Sequence, residues 1–313
     1  MASTLVTGGA GFIGSSLVRG LLARGDSVRV LDNFATGKRE NLQEIQGDIE
    51  LIEADLRDAP TVEKAARGTH VVYHLGALGS VPRSMKNPVE THEVNVNGTL
   101  NVLLASKAAG ARVVMASSSS VYGDNKVLPQ HEGLPLRPIS PYAVTKATGE
   151  LYCRAFNKAY GLETVCLRYF NVFGPRQDPT SQYAAAIPLF VASLLGDEPP
   201  TIFGDGEQSR GFTYVDDVVT ATMSAGKVLV KEPVVANISS AAGVTVNHVM
   251  HSIQRLLGKE HVAPRYAPER PGDIKHSLAS TEVAREVLGF EPRLSFDEGI
   301  QKAIAWYVEH LGR

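Results

Sequence analysis

The chain has 313 residues, with 31 lysines and arginines against 33 aspartates and glutamates. This near balance argues against a dedicated nucleic-acid binder, which needs a basic excess to neutralise phosphates. Two cysteines, Cys153 and Cys166, are too few for a disulfide framework and lack metal-ligand spacing, so we expect two packing residues and no metal site. The first residues show no basic segment followed by a long apolar run, and no window reaches about 18 uninterrupted apolar residues. We therefore expect a cytoplasmic protein without a membrane span.

Short apolar runs alternate with helical patterns through the first half of the chain. The runs are rich in β-branched residues and predict strands at 4–8, 27–32, 49–55, 70–77 and 112–118. Helices are predicted at 15–24, 91–109 and 140–160, each followed by a glycine, and further ones at 184–195, 246–257, 281–288 and 296–311. Because the strands are apolar along their whole length, the pattern predicts an α/β fold with a parallel sheet covered on both faces.

The segment GGAGFIG at 8–14 follows the first predicted strand and precedes a helix. Gly9, Gly11 and Gly14 match G-x-G-x-x-G, in which glycines permit a tight turn and bring backbone N–H groups close to a pyrophosphate. Asp32 ends the next strand, where it can accept hydrogen bonds from ribose hydroxyls. The combination predicts a dinucleotide site, with a tight turn that holds no ligand as the alternative.

The same region indicates which dinucleotide binds. Asp32 would repel a 2′-phosphate and so favours NAD over NADP, although the nearby Lys38 and Arg39 leave NADP open. Asp55 and Leu56 end the third strand and are candidates to meet the adenine; the alternative is an ordinary acid at a strand end.

A tyrosine and a lysine four residues apart begin the helix predicted after the fifth strand. Ser140 can cap this helix, and the spacing puts Tyr142 and Lys146 on one face. A phenol titrates near pH 10 in water, so it is a poor base alone, but an adjacent ammonium and a cationic nicotinamide would lower its pKa. A serine from the strand end at 117–120 could then hold a substrate hydroxyl. The alternative is a solvated helix face.

With these motifs in this order, the chain resembles the extended short-chain dehydrogenase/reductase family, and within it the nucleotide-sugar 4-epimerases. The resemblance covers essentially the whole chain, including NVNGT (95–99), SSSSVYGD (117–124), SPYAVTK (140–146) and FGDGEQSRGFTYVDDVV (203–219). HLGALGSVPRS (74–84) and LRYFNVFGPRQDP (167–179) look most like UDP-N-acetylglucosamine 4-epimerases, which are close relatives of the UDP-glucose 4-epimerases. The resemblance implies a Rossmann-type doubly wound sheet with a smaller C-terminal α/β domain that binds substrate.

The resemblance also implies roles at matching positions. Tyr142 would be the catalytic base, Lys146 its partner and a ligand of the nicotinamide ribose, and Ser118 the hydroxyl-binding residue. Positions that contact NAD would be Gly8, Gly11, Phe12, Ile13, Asp32, Asn33, Asp55, Leu56, Leu75, Ala77, Asn95 and Phe170. Positions that contact the UDP-sugar would be Gly79, Ser80, Asn171, Arg210, Arg270, Asp273 and Ser277. We expect an NAD-binding domain at 1–170, with a returning segment near 213–238, and a UDP-sugar domain at 171–313.

Two positions bear on the substrate. Family members usually carry an aspartate directly after the arginine at 210, whereas this chain has Gly211. Ser277 occupies the position that helps to set the size of the hexose pocket, and a serine there leaves room for a 2-acetamido group. UDP-GlcNAc and UDP-GalNAc are therefore expected substrates, with UDP-glucose and UDP-galactose beside them. The alternative is that Ser277 has no selective role.

The two residues before VYG distinguish the related activities of the family. The nucleotide-sugar 4,6-dehydratases carry an Asp-Glu couple there, and the UDP-glucuronate decarboxylases a glutamate, where this chain has Ser119 and Ser120. The sequence leaves open a UDP-glucuronate 4-epimerase. A non-catalytic NAD-sensing regulator would commonly lack Tyr142 or Lys146, and both are present.

The helix that carries Tyr142 predicts a self-association surface. Its apolar positions Leu151, Ala155, Phe156 and Ala159 could form half of a four-helix seam, and homodimers of that kind are usual in the resembling family. The alternative is a monomer that buries this stripe internally.

Overall fold

The computed structural model describes residues 2–179, 186–240, 242–269 and 275–311. Its strands are β1 Ser3–Thr7, β2 Ser27–Asp32, β3 Ile49–Glu53, β4 Val71–His74, β5 Arg112–Ser118, β6 Thr164–Tyr169, β7 Val172–Phe173, β8 Thr201–Phe203, β9 Ser209–Arg210, β10 Thr213–Tyr214, β11 Val234–Ile238, β12 Val244–Thr245, β13 Arg265–Ala267 and β14 His276–Ser277. Its α-helices are α1 Phe12–Ala23, α2 Ala59–Ala66, α3 Val81–Lys86, α4 Pro88–His92, α5 Gly98–Ala109, α6 Pro141–Tyr160, α7 Ala186–Leu195, α8 Val215–Ala225, α9 Val246–Leu257, α10 Glu282–Leu288 and α11 Phe296–Leu311.

Seven parallel strands form the main sheet, in the order β11-β6-β5-β4-β1-β2-β3. The strand order reverses direction at β1, so helices pack on both faces, and the predicted doubly wound Rossmann-type sheet is confirmed. The five strands predicted in the first half are all present. The domain limits 1–170, 213–238 and 171–313 stay a prediction, although β11, in the expected returning segment, pairs with β6.

Alternation of apolar side chains along the strands divides the core between the two faces. Val6 of β1 packs on one face with Leu17 of α1 and Val218 of α8. Leu5, one residue earlier, packs on the other face with Val102 of α5. Successive strand residues point to opposite faces, so a strand covered by helices on both sides must be apolar throughout.

The C-terminal part carries smaller sheets beside the carboxyl ends of the main strands. These are the parallel pairs β10-β7 and β13-β8 and the three-stranded sheet β12-β9-β14. Helices α7, α9 and α11 contribute Phe190, Ile253 and Ile304 to the same core cluster as α1. Among the described residues, no helix combines the length and the apolar character needed to cross a membrane.

The helix predicted at 91–109 is interrupted. The structure has α4, then a π-helical turn at Glu93–Asn97, then α5. A π turn adds a residue to the turn and changes the face on which the following side chains lie. Here it contains Asn95, whose side chain is buried. The first two residues of the helix predicted at 184–195 lie outside the described residues.

Candidate active site

The glycine loop connects β1 to α1 in a conformation that side chains would obstruct. Gly8 has a φ of 71°, and a Cβ on Gly14 would lie 2.1 Å from the Gly8 carbonyl oxygen. Helix α1 begins after Gly11 with no side-chain cap and no acidic residue in its first turn. The first N–H groups of such a helix form a ready anion site, and the loop therefore fits a dinucleotide pyrophosphate.

Asp32 lies at the end of β2, beside this loop. One carboxylate oxygen accepts a hydrogen bond from the Ala10 N–H at 2.9 Å, and the other from the Phe34 N–H at 2.9 Å. Burial raises the pKa of this carboxyl, while the two backbone bonds lower it. A carboxylate oxygen has two lone pairs, so Asp32 can still accept bonds from ribose hydroxyls.

The two cations that left NADP open are engaged elsewhere. Lys38 Nζ contacts an Asp178 carboxylate oxygen at 2.9 Å, and Arg39 pairs with Glu53 at 2.5 Å. The Arg39 guanidinium also lies 4.1 Å from the centre of the Phe34 ring. This arrangement favours NAD, because a 2′-phosphate would meet the Asp32 carboxylate and two cations that already have acidic partners.

Asp55 lies within reach of the same loop. The Asn33 side-chain amide donates to it at 2.9 Å, and the Arg57 guanidinium at 2.8 Å. Hydrogen bonds from Arg57 lower the pKa of the Asp55 carboxyl to about 2, so it is ionised at neutral pH. The structure thus brings together the two predicted NAD residues Asn33 and Asp55.

Helix α6 presents Tyr142 and Lys146 toward the end of β5. The Ser140 hydroxyl caps the helix by accepting a 3.2 Å bond from the Ala143 N–H. Lys146 Nζ donates to the Ala116 carbonyl at 2.8 Å and lies 5.9 Å from the centre of the Tyr142 ring. Burial lowers the pKa of Lys146 to about 8, against the opposing charges of Cys166 and Glu150.

Ser118 ends β5 and lines the cleft beside Tyr142; burial raises the pKa of the Tyr142 phenol, and the Ser118 side chain lowers it. Its Oγ accepts bonds from the Ser120 N–H at 3.2 Å and the Ser120 hydroxyl at 2.9 Å. With those acceptor positions used, the Ser118 proton can point at the phenol oxygen. A hydrogen bond given to a phenolate stabilises the ionised form.

The Tyr142 pKa differs from the prediction that the Lys146 ammonium lowers it. Burial raises this pKa in the structure, and Ser118 supplies the opposing effect. Lys146 directs its Nζ to the Ala116 carbonyl instead.

These groups line one cleft of about 810 Å³, a volume typical of cofactor and substrate sites. Most of the predicted residues line it, namely Gly8, Gly11, Phe12, Ile13, Asp32, Asn33, Asp55, Leu56, Leu75, Ala77, Gly79, Ser80, Ser118, Tyr142, Lys146 and Asn171. Asn95 and Phe170 do not line it, because both are buried below its wall. Arg270 and Asp273 lie outside the described residues.

Arg210 and Ser277 lie on the neighbouring strands β9 and β14 rather than in the lining of the cleft. An Arg210 guanidinium nitrogen donates to the Ser209 carbonyl at 2.9 Å and to the Lys275 carbonyl at 3.1 Å. These bonds hold the arginine along its own small sheet. Asn171, which lines the cleft, connects that sheet to the cleft through its 3.4 Å bond to the Gly211 carbonyl.

A buried series of hydrogen-bonded polar side chains lies under the cleft, and the sequence patterns did not predict it. Thr99 donates its hydroxyl proton to the Asn95 carbonyl, so the His74 Nε2 must donate to Thr99, at 2.9 Å. His74 Nδ1 then accepts from Thr7, at 2.8 Å. Burial, with a smaller contribution from the Lys146 charge, lowers the pKa of His74 to about 3. The only sequence signal was a histidine at the end of an otherwise apolar strand.

Asn95 continues this series toward α6. Its side-chain oxygen accepts from the Leu78 N–H at 2.8 Å, and its amide donates to the Thr145 hydroxyl at 3.0 Å. Thr145 in turn donates to the Tyr142 carbonyl at 2.7 Å. The residue expected to contact NAD therefore joins the cleft wall to α6.

Both cysteines are buried, in the cluster that packs α5 and α6 against β5 and β6, as predicted. Within the described ranges, no group of three or more histidine, cysteine, aspartate or glutamate side chains is arranged to hold a metal ion.

A family model described as the NAD dependent epimerase/dehydratase family matches residues 4–238. A UDP-N-acetylglucosamine 4-epimerase from Methanobrevibacter ruminantium, solved in complex with UDP-N-acetylmuramic acid, is 39% identical and superposes with a TM-score of 0.94 over 98% of each chain. The Thermus thermophilus UDP-glucose 4-epimerase in complex with NAD is 38% identical, with a TM-score of 0.88 over 98% of this chain and 99% of that one. UDP-glucuronic acid decarboxylase 1 of Danio rerio is 34% identical over 98% of this chain and 73% of its own length.

The resemblance read from the sequence motifs is thereby confirmed. The family match extends over the glycine loop, the Tyr142-Lys146 pair and β11. The chain belongs to the NAD dependent epimerase/dehydratase family and is an enzyme that uses NAD as its cofactor.

Proposed function

We propose that the chain is a UDP-hexose 4-epimerase that inverts C4 of UDP-GlcNAc and UDP-GalNAc, and of UDP-glucose and UDP-galactose, through a 4-keto sugar. The observation that carries this proposal is the position of Tyr142, Ser118 and Lys146 in one cleft, next to a glycine loop built for a dinucleotide. The similar structures named as 4-epimerases support it over nearly the whole chain.

The catalytic residues suit reversible proton transfer. Ser118 holds the sugar 4-hydroxyl beside Tyr142, whose phenolate takes the hydroxyl proton to become the phenol and later returns it. When bound, oxidised NAD would supply the acceptor for the hydride from the sugar C4, together with a positive charge. Lys146, whose Nζ donates to the Ala116 carbonyl, would hold the nicotinamide ribose through its ammonium. After the 4-keto sugar has turned to present its other face, the same groups act in reverse.

The residues around Ser118 argue against two related activities, 4,6-dehydration and decarboxylation of a nucleotide-sugar. A 4,6-dehydratase needs a carboxylic acid and a carboxylate near C5 and C6 of the sugar, and positions 119 and 120 hold serines. The Ser120 hydroxyl donates to Ser118 at 2.9 Å and thereby supports the hydroxyl-binding role. These two serines favour epimerisation over dehydration and over decarboxylation.

Features beside the cleft support a UDP-hexose with a substituent at C2. Arg210 offers a guanidinium for a diphosphate, whose oxygens match its fork geometry. Ser277 is small and pairs in register with Arg210 from the adjacent, parallel β14. A firmly held diphosphate with a loosely held sugar allows the sugar to turn between the two hydride transfers.

The direct test incubates the purified protein with UDP-GlcNAc, and separately with UDP-glucose, without added NAD. The products are resolved by chromatography. UDP-GalNAc formed at least as fast as UDP-galactose supports the proposal, including retained NAD and a roomy hexose pocket. UDP-galactose alone contradicts the pocket argument, and no conversion of either sugar even with added NAD points to a UDP-uronate such as UDP-glucuronate.

We also infer a homodimer through α6. Leu151, Ala155 and Ala159 are exposed on the single chain, whereas Phe156 of the predicted stripe packs inside. Leu151 is 60% exposed, and Leu104 of the neighbouring α5 is 48% exposed. A second copy of the same face would cover these side chains. Sedimentation of Leu151→Asp against the native chain tests this, and a native chain that sediments as a monomer contradicts it.

A further inference from the structure

Gly211 connects two candidate substrate residues through its backbone. Its N–H donates a 3.0 Å hydrogen bond to the Ser277 carbonyl. Its own carbonyl accepts a 3.4 Å bond from the side-chain amide of Asn171. Asn171 lines the cleft with a left-handed φ of 39°, whereas Ser277 lies on β14. Gly211 therefore lies between the catalytic cleft and the strands that carry Arg210 and Ser277.

Space, rather than backbone conformation, requires a glycine here. A Cβ at position 211 would lie 2.6 Å from the Ser239 Oγ and 3.2 Å from the Ser240 carbonyl oxygen. Ser239 is fully buried, and its hydroxyl donates to the Ser240 carbonyl at 2.9 Å. The serine hydroxyl thus occupies the volume that a side chain on residue 211 would need.

The same segment is fastened to the main sheet close to Ser118. Thr213 donates its hydroxyl to the Phe170 carbonyl at 2.9 Å and accepts from the Ser240 N–H at 3.2 Å. Phe170 directly follows β6, whose last residue, Tyr169, pairs in register with Ser118. Any outward displacement at Gly211 would consequently move β9 and β14 relative to the end of β5.

We propose that Gly211 is a positioning residue for the nucleotide-sugar, and that the buried Ser239 hydroxyl makes glycine necessary at this position. This inference rests on the proposed function. The close contact sets the separation between Asn171 in the cleft and the strand pair that carries Arg210 and Ser277. It thereby controls UDP-sugar affinity, while NAD and the proton transfer at Tyr142 depend on other elements. Gly211 stands where the family usually has an aspartate because the Ser239 hydroxyl occupies the space that a side chain would need.

The test compares the native enzyme with Gly211→Ala, Ser239→Gly and the double variant. Gly243→Ala is the matched control, because a Cβ there would meet Ser209 atoms no nearer than 3.5 Å. Calorimetry measures UDP binding, and steady-state assays with UDP-GlcNAc give KM and kcat. The NAD released on denaturation gives the retained cofactor, and thermal unfolding gives the stability. Because Ser239→Gly removes the clashing hydroxyl, the double variant separates this contact from general damage.

Gly211→Ala should weaken UDP binding and raise KM about tenfold, with kcat within about threefold and NAD content unchanged. The double variant should recover most of the lost affinity, and Gly243→Ala should bind UDP as the native enzyme does. Native UDP affinity in Gly211→Ala overturns the inference. The inference is also overturned if Gly211→Ala loses UDP affinity, retained NAD and stability together and the double variant with Ser239→Gly does not recover them. A native enzyme that neither binds UDP nor converts a UDP-sugar overturns the proposed function itself, and this inference with it.

Discussion

The side-chain amide of Asn95 donates a 3.0 Å hydrogen bond to the hydroxyl of Thr145, directly before Lys146. Through this bond the π-helical turn before α5 is joined to α6, and through the Leu78 backbone it is joined to the wall of the cleft. The relative position of Lys146 and the cleft wall at Leu78 thus depends on a side chain that is itself outside the cleft.

Replacing Asn95 with alanine should therefore reduce both stability and turnover. The change leaves the buried Leu78 N–H unsatisfied, at a cost of about 1–3 kcal/mol. It also removes the bond to the Thr145 hydroxyl, which keeps its own bond to the Tyr142 carbonyl. Urea unfolding gives the change in the free energy of unfolding, and turnover with retained NAD gives the effect on the site. Asn101→Ala in the adjoining helix α5 removes a single bond to the Leu56 carbonyl, and it should cost less and leave turnover near the native value. Equal effects of the two variants would contradict a positioning role for Asn95.

Tyr142→Phe should reduce turnover to at most a few per cent of the native value, because the variant has no group to take the 4-hydroxyl proton. General acid–base catalysis contributes about 10²–10⁴-fold. Retained NAD and UDP binding should stay near native, since the phenol is not their main ligand. Tyr152→Phe, on the same helix, is the control and should turn over normally. Substantial turnover in Tyr142→Phe would remove the tyrosine from the mechanism.

The buried His74 predicts how stability changes with pH. Its pKa is about 3 in the folded chain and about 6.5 in the unfolded one. Between these two pH values the unfolded chain binds one more proton than the folded chain. The contribution of His74 to the free energy of unfolding therefore decreases by about 1.4 kcal/mol for each pH unit below 6.5. Urea unfolding between pH 7 and pH 5 should show a weaker slope in His74→Gln than in the native chain.

The exposed His251 provides the comparison for this measurement, and His251→Gln should keep the native slope. Nitrogen NMR gives a second, independent reading: the His74 ring should remain neutral, with its proton on Nε2, across pH 5–9. An imidazole that titrates near its ordinary pKa in the folded chain would show that the buried chain of hydrogen bonds is not formed.

The ion pair of Glu150 and Arg168 should be costly to break. Arg168 donates to Glu150 at 2.7 and 2.9 Å, and both side chains are buried. Removing one partner leaves an uncompensated buried charge, so Glu150→Ala should lower the free energy of unfolding by about 3–5 kcal/mol. The exposed pair of Glu63 and Arg67 is the control, and Glu63→Ala should change the free energy of unfolding by about 0.5 kcal/mol or less. Similar losses in the two variants would contradict the burial argument.

Much of the fold could be predicted because local patterns determine it. The strands that begin the chain are apolar runs, and the glycine, serine and proline positions specify the turns and caps between them. Gly8 requires a left-handed φ, and Ser140 caps the catalytic helix, both through contacts within a few residues. The Tyr142 and Lys146 pair follows from helical spacing alone. For the same reason most predicted cofactor residues, which end parallel strands, lie together in one cleft.

The tertiary structure decided what depends on residues far apart in the chain. His74 is kept neutral by burial, while Thr7 and Thr99 fix the orientation of its ring. Burial raises the pKa of Tyr142, and Ser118 opposes this effect. The fit of Gly211 against Ser239 depends on how closely two distant segments pack, which no local pattern records. Sequence by itself determined the order of elements and the chemistry of the side chains, because both are local properties. Their solvation, their hydrogen-bond partners and the space around them are properties of packing, and only the folded chain defines them.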